Sequence, residues 1–423
     1  VVLAPPTAAR LARESAPLPE PWPEEARQLF VRLLGAGRGL LLIWETLEAT
    51  GALARILPEW ERLRLLPHAS IIHRFTVDRH VIETCIEASA LLDRVARPDV
   101  LLVTALLHDI GKGGLVEHSI AGEPIAREIA LRIGYDERSA ELVAHLVRWH
   151  LLLAVTATTR DPGDPATIAL MVDCVRDTEE LSLLTALTEA DARATSPKAW
   201  STWRAQLIGD LSRRVAGVID AGTAPPELAY PEVEVPDAAR GGAVAFWAEQ
   251  TDEPSEGSRM WVLGPDRVGL LADVAATFAM QRVPVRACRA WSQGRYAVSV
   301  WELAENRVDP TVLRHRFEAI EAGRVDVAAR LGATGAGEPS VVVRPEASAQ
   351  ATVLEVRTLD RPGLLSAVCR ALAALDIVVR SAHISTLGPQ AVDVFYLQEA
   401  SAGALGDTRA ASAAHAVRAA LTG

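Results

Sequence analysis

One stretch of this chain recurs 94 positions further on, and no other feature limits the fold as much. Residues 264–278 read GPDRVGLLADVAATF, and residues 358–372 read TLDRPGLLSAVCRAL. Asp266, Arg267, Gly269, Leu270, Leu271 and Val274 return as Asp360, Arg361, Gly363, Leu364, Leu365 and Val368. Val283, Val285 and Arg286 return as Ile377, Val379 and Arg380. Each copy follows a short β-branched run and opens with a D-R-x-G turn. A helical period, an alternating strand, a Gly-containing turn (Gln293-Gly294; Gly388-Pro389), a second strand and a helix come after it. That order predicts β-α-β-β-α twice, with the last strand of each unit left unplaced. It is the pattern of two small α+β units of ferredoxin-like type.

The rest of the chain has a different period. From about residue 21 to 218 apolar residues recur every three or four positions, as in helices. Val81, Cys85, Ala88, Leu92 and Val95 predict an amphipathic helix over 78–95. Four prolines in 221–237 mark a linker, and 332–345 is a second, weaker break. Residues 1–23 read as a loose lead-in, and 22–67 as two or three short helices. An apolar share of 49% suffices for a large core, whereas 43 basic against 54 acidic residues is unlike a nucleic-acid footprint. The longest strongly apolar run, residues 100–107, is far short of the roughly 18–20 residues of a membrane span. Cys85, Cys174, Cys288 and Cys369 lie far apart in apolar surroundings, as reduced core thiols of a cytoplasmic protein do. No basic-then-apolar leader opens the chain, and a start at Val1 without Met suggests a fragment or processed form.

Chemistry concentrates in the helical part. Most of the ten histidines lie between His68 and His150. His108-Asp109 closes the apolar run VLLVTALL and precedes Ile110-Gly111-Lys112, so a buried helix delivers an imidazole and a carboxylate together, and Gly111 lets it stop. His80 lies on the helix before it. Asp191 falls between Leu184 and Leu187 on the inward side of a helix, where a carboxylate is costly unless paired or bound to a metal. His150 shares a face with Val143, Leu146 and Val147, whereas His145 points away with Glu141 and Arg148. Singly these are ordinary residues: a lone HD dipeptide is common, and a Gly-Lys after a helix can be a simple cap. Together, H…HDxGK…H…D on successive helices suits a divalent-metal hydrolase using Mg, Mn, Fe or Zn. Lys112 would steady phosphate charge or donate a proton.

These residues resemble a known family. HRFTVDRHVIET (73–84), LLHDIGKG (106–113), LVRWHLLLA (146–154) and LTEADARATSPKAWSTWR (187–204) are similar to the HD domain of the PII uridylyltransferase/uridylyl-removing (GlnD) family, and the paired repeats look like its tandem ACT domains. WPEEARQLFVRLLGAG (22–37) and LPEWERLRLLPH (57–68) fit the same family. The resemblance implies an all-α HD-type phosphohydrolase domain followed by two α+β ACT domains. The expected boundaries are 1–67 for a helical lead-in after a missing transferase domain, 68–220 for HD, 221–257 for a linker, and 258–345 and 346–423 for ACT. It implies His80, His108, Asp109 and Asp191 as metal ligands, Asp109 and Lys112 as catalytic groups, and His118 and His150 as ligands for a second metal. It implies an effector site at Asp266, Arg267, Gly269 and Leu270, and at Leu359, Asp360, Arg361, Gly363 and Leu364, with glutamine as the effector. The substrate implied is the nucleotidylated PII signalling protein (GlnB/GlnK type), with neither nucleic acid nor membrane as partner.

Two departures stand out. No Gly-Ser and Asp-x-Asp signature of a nucleotidyltransferase precedes His73, so the chain should remove nucleotide rather than add it, although a full-length parent would do both. The first repeat has Val268 where the second has Pro362, and Trp291 where the second has Ser385, which suggests that Trp291 fills the ligand space and that the second repeat binds glutamine. The group removed could be UMP or AMP. Two other readings stay open: a (p)ppGpp hydrolase, disfavoured because Ile110-Gly111-Lys112-Gly113 stands where an acidic pair would be, and a non-catalytic amino-acid-sensing module.

Overall fold

The computed structural model describes the chain apart from residues 1–2, 68–73, 197–198, 201, 224–229, 250–256, 306, 332–337, 388–389, 402 and 423. His68, His73 and the Gly388-Pro389 turn lie outside the described residues. The helices are α1 Pro5–Glu14, α2 Glu24–Leu34, α3 Gly39–Ala49, α4 Leu53–Ile56, α5 Val77–Ser89, α6 Pro98–Leu107, α7 His118–Arg132, α8 Glu137–Trp149, α9 Leu152–Thr159, α10 Pro165–Cys174, α11 Thr178–Thr195, α12 Thr202–Ala221, α13 Asp237–Arg240, α14 Leu270–Met280, α15 Pro310–Glu321, α16 Val327–Leu331, α17 Leu364–Ala373 and α18 Asp407–Thr422. The strands are β1 Ala245–Ala248, β2 Ser258–Pro265, β3 Val285–Gln293, β4 Tyr296–Leu303, β5 Ser340–Arg344, β6 Thr352–Leu359, β7 Ile377–Leu387 and β8 Gln390–Glu399.

Two compact units form, and they do not follow chain order. The first holds Val1–Ala154, Met171–Ser201 and Ile208–Thr223; the second holds Val155–Leu170, Thr202–Leu207 and Ala224–Gly423. Among its described residues the first unit has helices and no strand. Its central helix α6 begins at Pro98, whose fixed φ suits a first helical turn. Val100 to Leu107 are all buried, so α6 is apolar all round and runs through the interior. The lead-in is more ordered than composition suggests, since α1 lies within it. The helix expected over 78–95 stops at Ser89, and Leu92–Arg94 forms a separate 3₁₀ turn. Glu137–Thr159 is, among the described residues, the one stretch of helix long and apolar enough to cross a membrane. Its α8 part packs as a core helix, with Ala140, Val143, Leu146 and Val147 buried.

The second unit is built on one eight-stranded sheet, order β1-β2-β4-β3-β7-β8-β6-β5, which reads as two mirrored halves meeting at β3 and β7. The repeats give the expected β2-α14-β3-β4-α15 and β6-α17-β7-β8-α18. The unplaced strand of each half comes from upstream of its repeat: β1 pairs antiparallel with β2, and β5 with β6. Residues 221–257 are therefore more than a connection, because they supply α13 and an edge strand. One sheet face carries the main core, with Met260, Cys288, Trp301, Ala382 and Phe395 packed under α14, α15, α17 and α18. The two halves touch there at equivalent positions, Ser366 Oγ donating to the Ala272 carbonyl at 3.4 Å.

Candidate metal centre

The end of α6 shows how the sequence builds a site. His108 keeps helical dihedrals and its Nδ1 lies 2.9 Å from the Ala105 carbonyl. His150, just past α8, repeats the device with Nδ1 2.7 Å from the Val147 carbonyl. A carbonyl can only accept, so each Nδ1 carries the proton and each Nε2 is left as the free ligand atom.

Gly111 has a different role from the stop signal expected of it. Its φ is not left-handed. A Cβ there would overlap the His118 carbonyl oxygen and lie 2.5 Å from the Gly122 nitrogen. Gly111 lets the HDxGK turn press onto the start of α7, which brings His118 to the site. Gly111→Ala should therefore cost about 1–3 kcal/mol or more by overpacking, read as a fall in melting temperature, with binding of a second metal equivalent weakened before the first. An unchanged melting temperature would show that α7 can move aside.

Six side chains converge. His80 Nε2 lies 2.9 Å from Asp191 Oδ1 and 3.9 Å from Asp109 Oδ2. His108 Nε2 lies 3.4 Å from Asp109 Oδ2 and 3.8 Å from Asp191 Oδ1. On the other side of the same carboxylate, Asp109 Oδ1 lies 3.5 Å from His118 Nε2 and 3.9 Å from His150 Nε2. Ligand atoms of His80, His108 and Asp191 lie within 4.8 Å of one another, and so do those of Asp109, His118 and His150. Asp109 thus belongs to the second set through Oδ1 and turns Oδ2 toward the first. Lys112 Nζ is 2.6 Å from Asp109 Oδ2.

The floor is closed and the rim is open. Side-chain exposure is 1–2% for His80, His108, Asp109 and His150, but 22% for Asp191, 25% for His118 and 21% for Lys112. The partly exposed groups at the centre are therefore Asp191, His118 and Lys112. Burial opposes the charged form of Asp109, yet His108, Lys112 and His150 outweigh it and hold the carboxyl well below its usual range. Burial pushes His150 down to about 4, so that imidazole is neutral and ready to ligate. A pair of ionised carboxylates and a ring of imidazoles fit divalent metals of the Mn, Fe, Zn or Mg type.

His145 is outside the centre, as its helical phase predicts. Its Nδ1 donates to Glu180 on α11, its Nε2 accepts from Trp149 Nε1 at 3.1 Å, and Glu180 also takes Arg176 at 2.8 Å. It ties α8 to α11. His145→Ala should lower stability by about 1–3 kcal/mol, the cost of leaving Glu180 short of a partner, with metal stoichiometry unchanged. His150→Ala should lose metal. Equal loss of metal in both variants would refute this assignment.

Glu117 escaped sequence reasoning. It caps α7 by accepting from the Ser119 and Ile120 N–H groups and lies 3.4 Å from His118 Nδ1, orienting that ring. The E-H-S order before a helix is its signal, a capping acid.

The repeat turns are geometric copies. Gly269 and Gly363 both precede their helices with left-handed φ, 85° and 86°, a conformation that favours glycine. Leu270 and Leu364 are buried behind them, while Leu359 is partly exposed. Asp266 accepts from Ser292 Oγ at 2.7 Å, Arg267 pairs with Asp273 and Glu321, and Arg361 donates to the Leu421 carbonyl. Asp360 sits in the second turn, between Leu359 and Arg361. Leu331, from the tail of the first repeat, lies over Gly363, whereas a Cβ at Gly269 would meet the Arg267 guanidinium at an ordinary 3.8 Å. Trp291 does not fill the helix side of the sheet. Cys288 faces the helices, so alternation turns Trp291 to the other face, where it stacks on Tyr230 with centroids 5.0 Å apart. The tryptophan inside the first repeat is Trp301, packed on Phe278.

Comparison with known proteins agrees with this geometry. An HD domain model matches residues 77–194, and an ACT domain model matches residues 352–402. The chain is similar to the bifunctional uridylyltransferase/uridylyl-removing enzyme of Streptomyces coelicolor, 41% identical over 97% of the chain and 56% of the relative. The enzyme of the same description from Mycobacterium tuberculosis is 35% identical over 92% of the chain and 51% of the relative, and that of Gluconobacter oxydans 32% over 84% and 45%. The chain spans about half the length of the curated relatives it matches.

Proposed function

We propose, from the premise that this chain carries an HD domain followed by an ACT domain and is a homologue of bifunctional uridylyltransferase/uridylyl-removing enzymes, that it is a metal-dependent phosphodiesterase releasing a nucleotidyl group from a tyrosine of a PII signalling protein. UMP is the group the relatives' description favours; AMP is the alternative. The observation that carries the reading is Asp109, buried with Oδ1 in one three-ligand set and Oδ2 facing the other. His80, His108 and Asp191 would hold one divalent ion, Mn or Mg with Fe or Zn as alternatives, and His118 and His150 a second, with Asp109 common to both. Such ions lower the pKa of a bound water and polarise a phosphoryl oxygen.

The chain's own residues do the rest. The P–O bond to the tyrosine breaks as the water oxygen bonds to phosphorus; the water gives up a proton to solvent, and the leaving phenolate takes one up. Lys112, at the rim and bonded to Asp109, steadies phosphate charge or supplies that proton. Buried His108 and His150 are held by backbone carbonyls, so the ligands need no reorganisation. Glutamine acting through the D-R-x-G turns is the proposed control, with the second turn closed over by Leu331.

The test is release of nucleotide from uridylylated and adenylylated PII by the purified chain. UMP or AMP should appear with Mn²⁺ and none after chelation. Release that survives chelation, or cleavage of (p)ppGpp in place of either substrate, would overturn the reading. Asp266→Ala and Asp360→Ala, compared for glutamine binding by calorimetry, would assign the effector turn.

A further inference from the structure

Asp161 and Asp164 lie in chain order between the helices that carry His150 and Asp191, yet they belong to the same compact unit as the sheet. Both are fully buried. The face of the sheet away from the main core receives them. Asp161 Oδ1 accepts from Arg289 at 3.0 Å and from the Gly163 N–H at 2.9 Å, and Oδ2 accepts from Ser381 Oγ at 3.2 Å. The Asp161 N–H donates to the Tyr396 hydroxyl at 2.8 Å. Asp164 accepts from Arg380 at 2.9 Å and from Ser348 Oγ.

The partners of Asp161 come from both halves of the sheet. Arg289 is on β3 of the first repeat and Ser381 on β7 of the second. Among the described residues, the strands of the two halves pair at Ala287–His383, Cys288–Ala382 and Arg289–Ser381, so Asp161 binds the two residues of one seam pair. Any change in how the repeats meet alters that pair and strips a buried carboxylate of partners, which is costly. His383 lies in the same seam, its imidazole pushed down to about 4 by burial and therefore neutral. The chain connects this clamp covalently to the site: α9 starts two positions after His150 and leads to Asp161, and α10 follows Asp164 toward the helix of Asp191.

We propose that the Asp161–Asp164 segment is the tether through which the seam between the two repeats and the metal centre bias one another. This rests on the reading of the HD centre as the metal site. Coupling between two sites is reciprocal, so the tether can be tested without any effector and without turnover. In the full chain, loading with Mn²⁺ should slow amide exchange at the seam strands β3 and β7 by about fivefold or more, the low end of typical coupling between sites. Asp161→Asn should abolish that response while Mn²⁺ stoichiometry is kept and Mn²⁺ affinity stays within about twofold. Should Asp161→Asn fail to fold, Arg289→Gln removes the same contact from its partly exposed side. A wild-type seam indifferent to Mn²⁺, or a variant with the full response, overturns the tether. Normal coupling in a chain that releases no nucleotide overturns the proposed function and supports the tether.

Discussion

Asp109→Asn should leave a folded chain that retains neither metal and releases nucleotide more slowly by roughly 10³-fold or more, about 4 kcal/mol of barrier. The reason is position. Asp109 is the one carboxylate facing both ligand sets, its Oδ2 toward His108 and its Oδ1 toward His118 and His150. The amide keeps the shape but removes the charge and offers one acceptor oxygen where the site uses two. The same variant should lose the gain in melting temperature that metal gives the wild type, since a ligand bound only to the native state at 100 times its Kd adds about 2.7 kcal/mol. Metal analysis after gel filtration and a nucleotide-release assay check both points. A variant with full metal content would mean that Asp109 is a second-layer group held by Lys112.

Arg380→Met should produce the largest loss of stability in the sheet unit, about 3–5 kcal/mol, because it leaves the buried Asp164 carboxylate without its cation. Arg380 is 5% exposed and Asp164 not at all, so water cannot replace the guanidinium. Adding Asp164→Leu should recover much of the loss, since removing both partners of a buried pair is often near neutral. Chemical denaturation followed by tryptophan fluorescence measures this, as Trp247, Trp261, Trp291 and Trp301 all lie in the unit. A double variant as unstable as the single one would show that Asp164 is needed for its loop and not only for the pair. Deleting residues 355–423 would remove Arg380, Ser381 and Tyr396 and leave Asp161 and Asp164, which belong to the same unit, without these partners.

Much of the candidate centre was legible in sequence. HDxGK at the end of an eight-residue apolar run predicts a buried helix that ends by presenting an imidazole and a carboxylate, and α6 has that form. The phases of His150 and Asp191 on their helices follow from a period of 3.6, and both side chains reach the centre. His145, one face away, does not. The sharing of Asp109 between two ligand sets was not legible, because it depends on where α7 and α8 cross α6, and Gly111 decides that by what it lacks. In the sheet, repetition announced two β-α-β-β-α units and a glycine at each left-handed turn. It could not say which strand fills each outer edge, because β1 and β5 pair by register across sequence that carries no repeat.

Sequence by itself determined the local devices: the apolar helix, the two ring-orienting helix ends, the duplicated turns. Each rests on periodicity or on one backbone conformation, and both are written in consecutive residues. Tertiary structure alone decided the placement of Asp161 and Asp164. Nothing local in the segment DPGD requires burial of its two carboxylates, since such groups are seldom buried without a partner. They are buried only because Arg289 and Arg380, distant in the chain, stand on neighbouring strands and face the same way. A buried charge is tolerable only next to its partner, and no local pattern records where that partner will be.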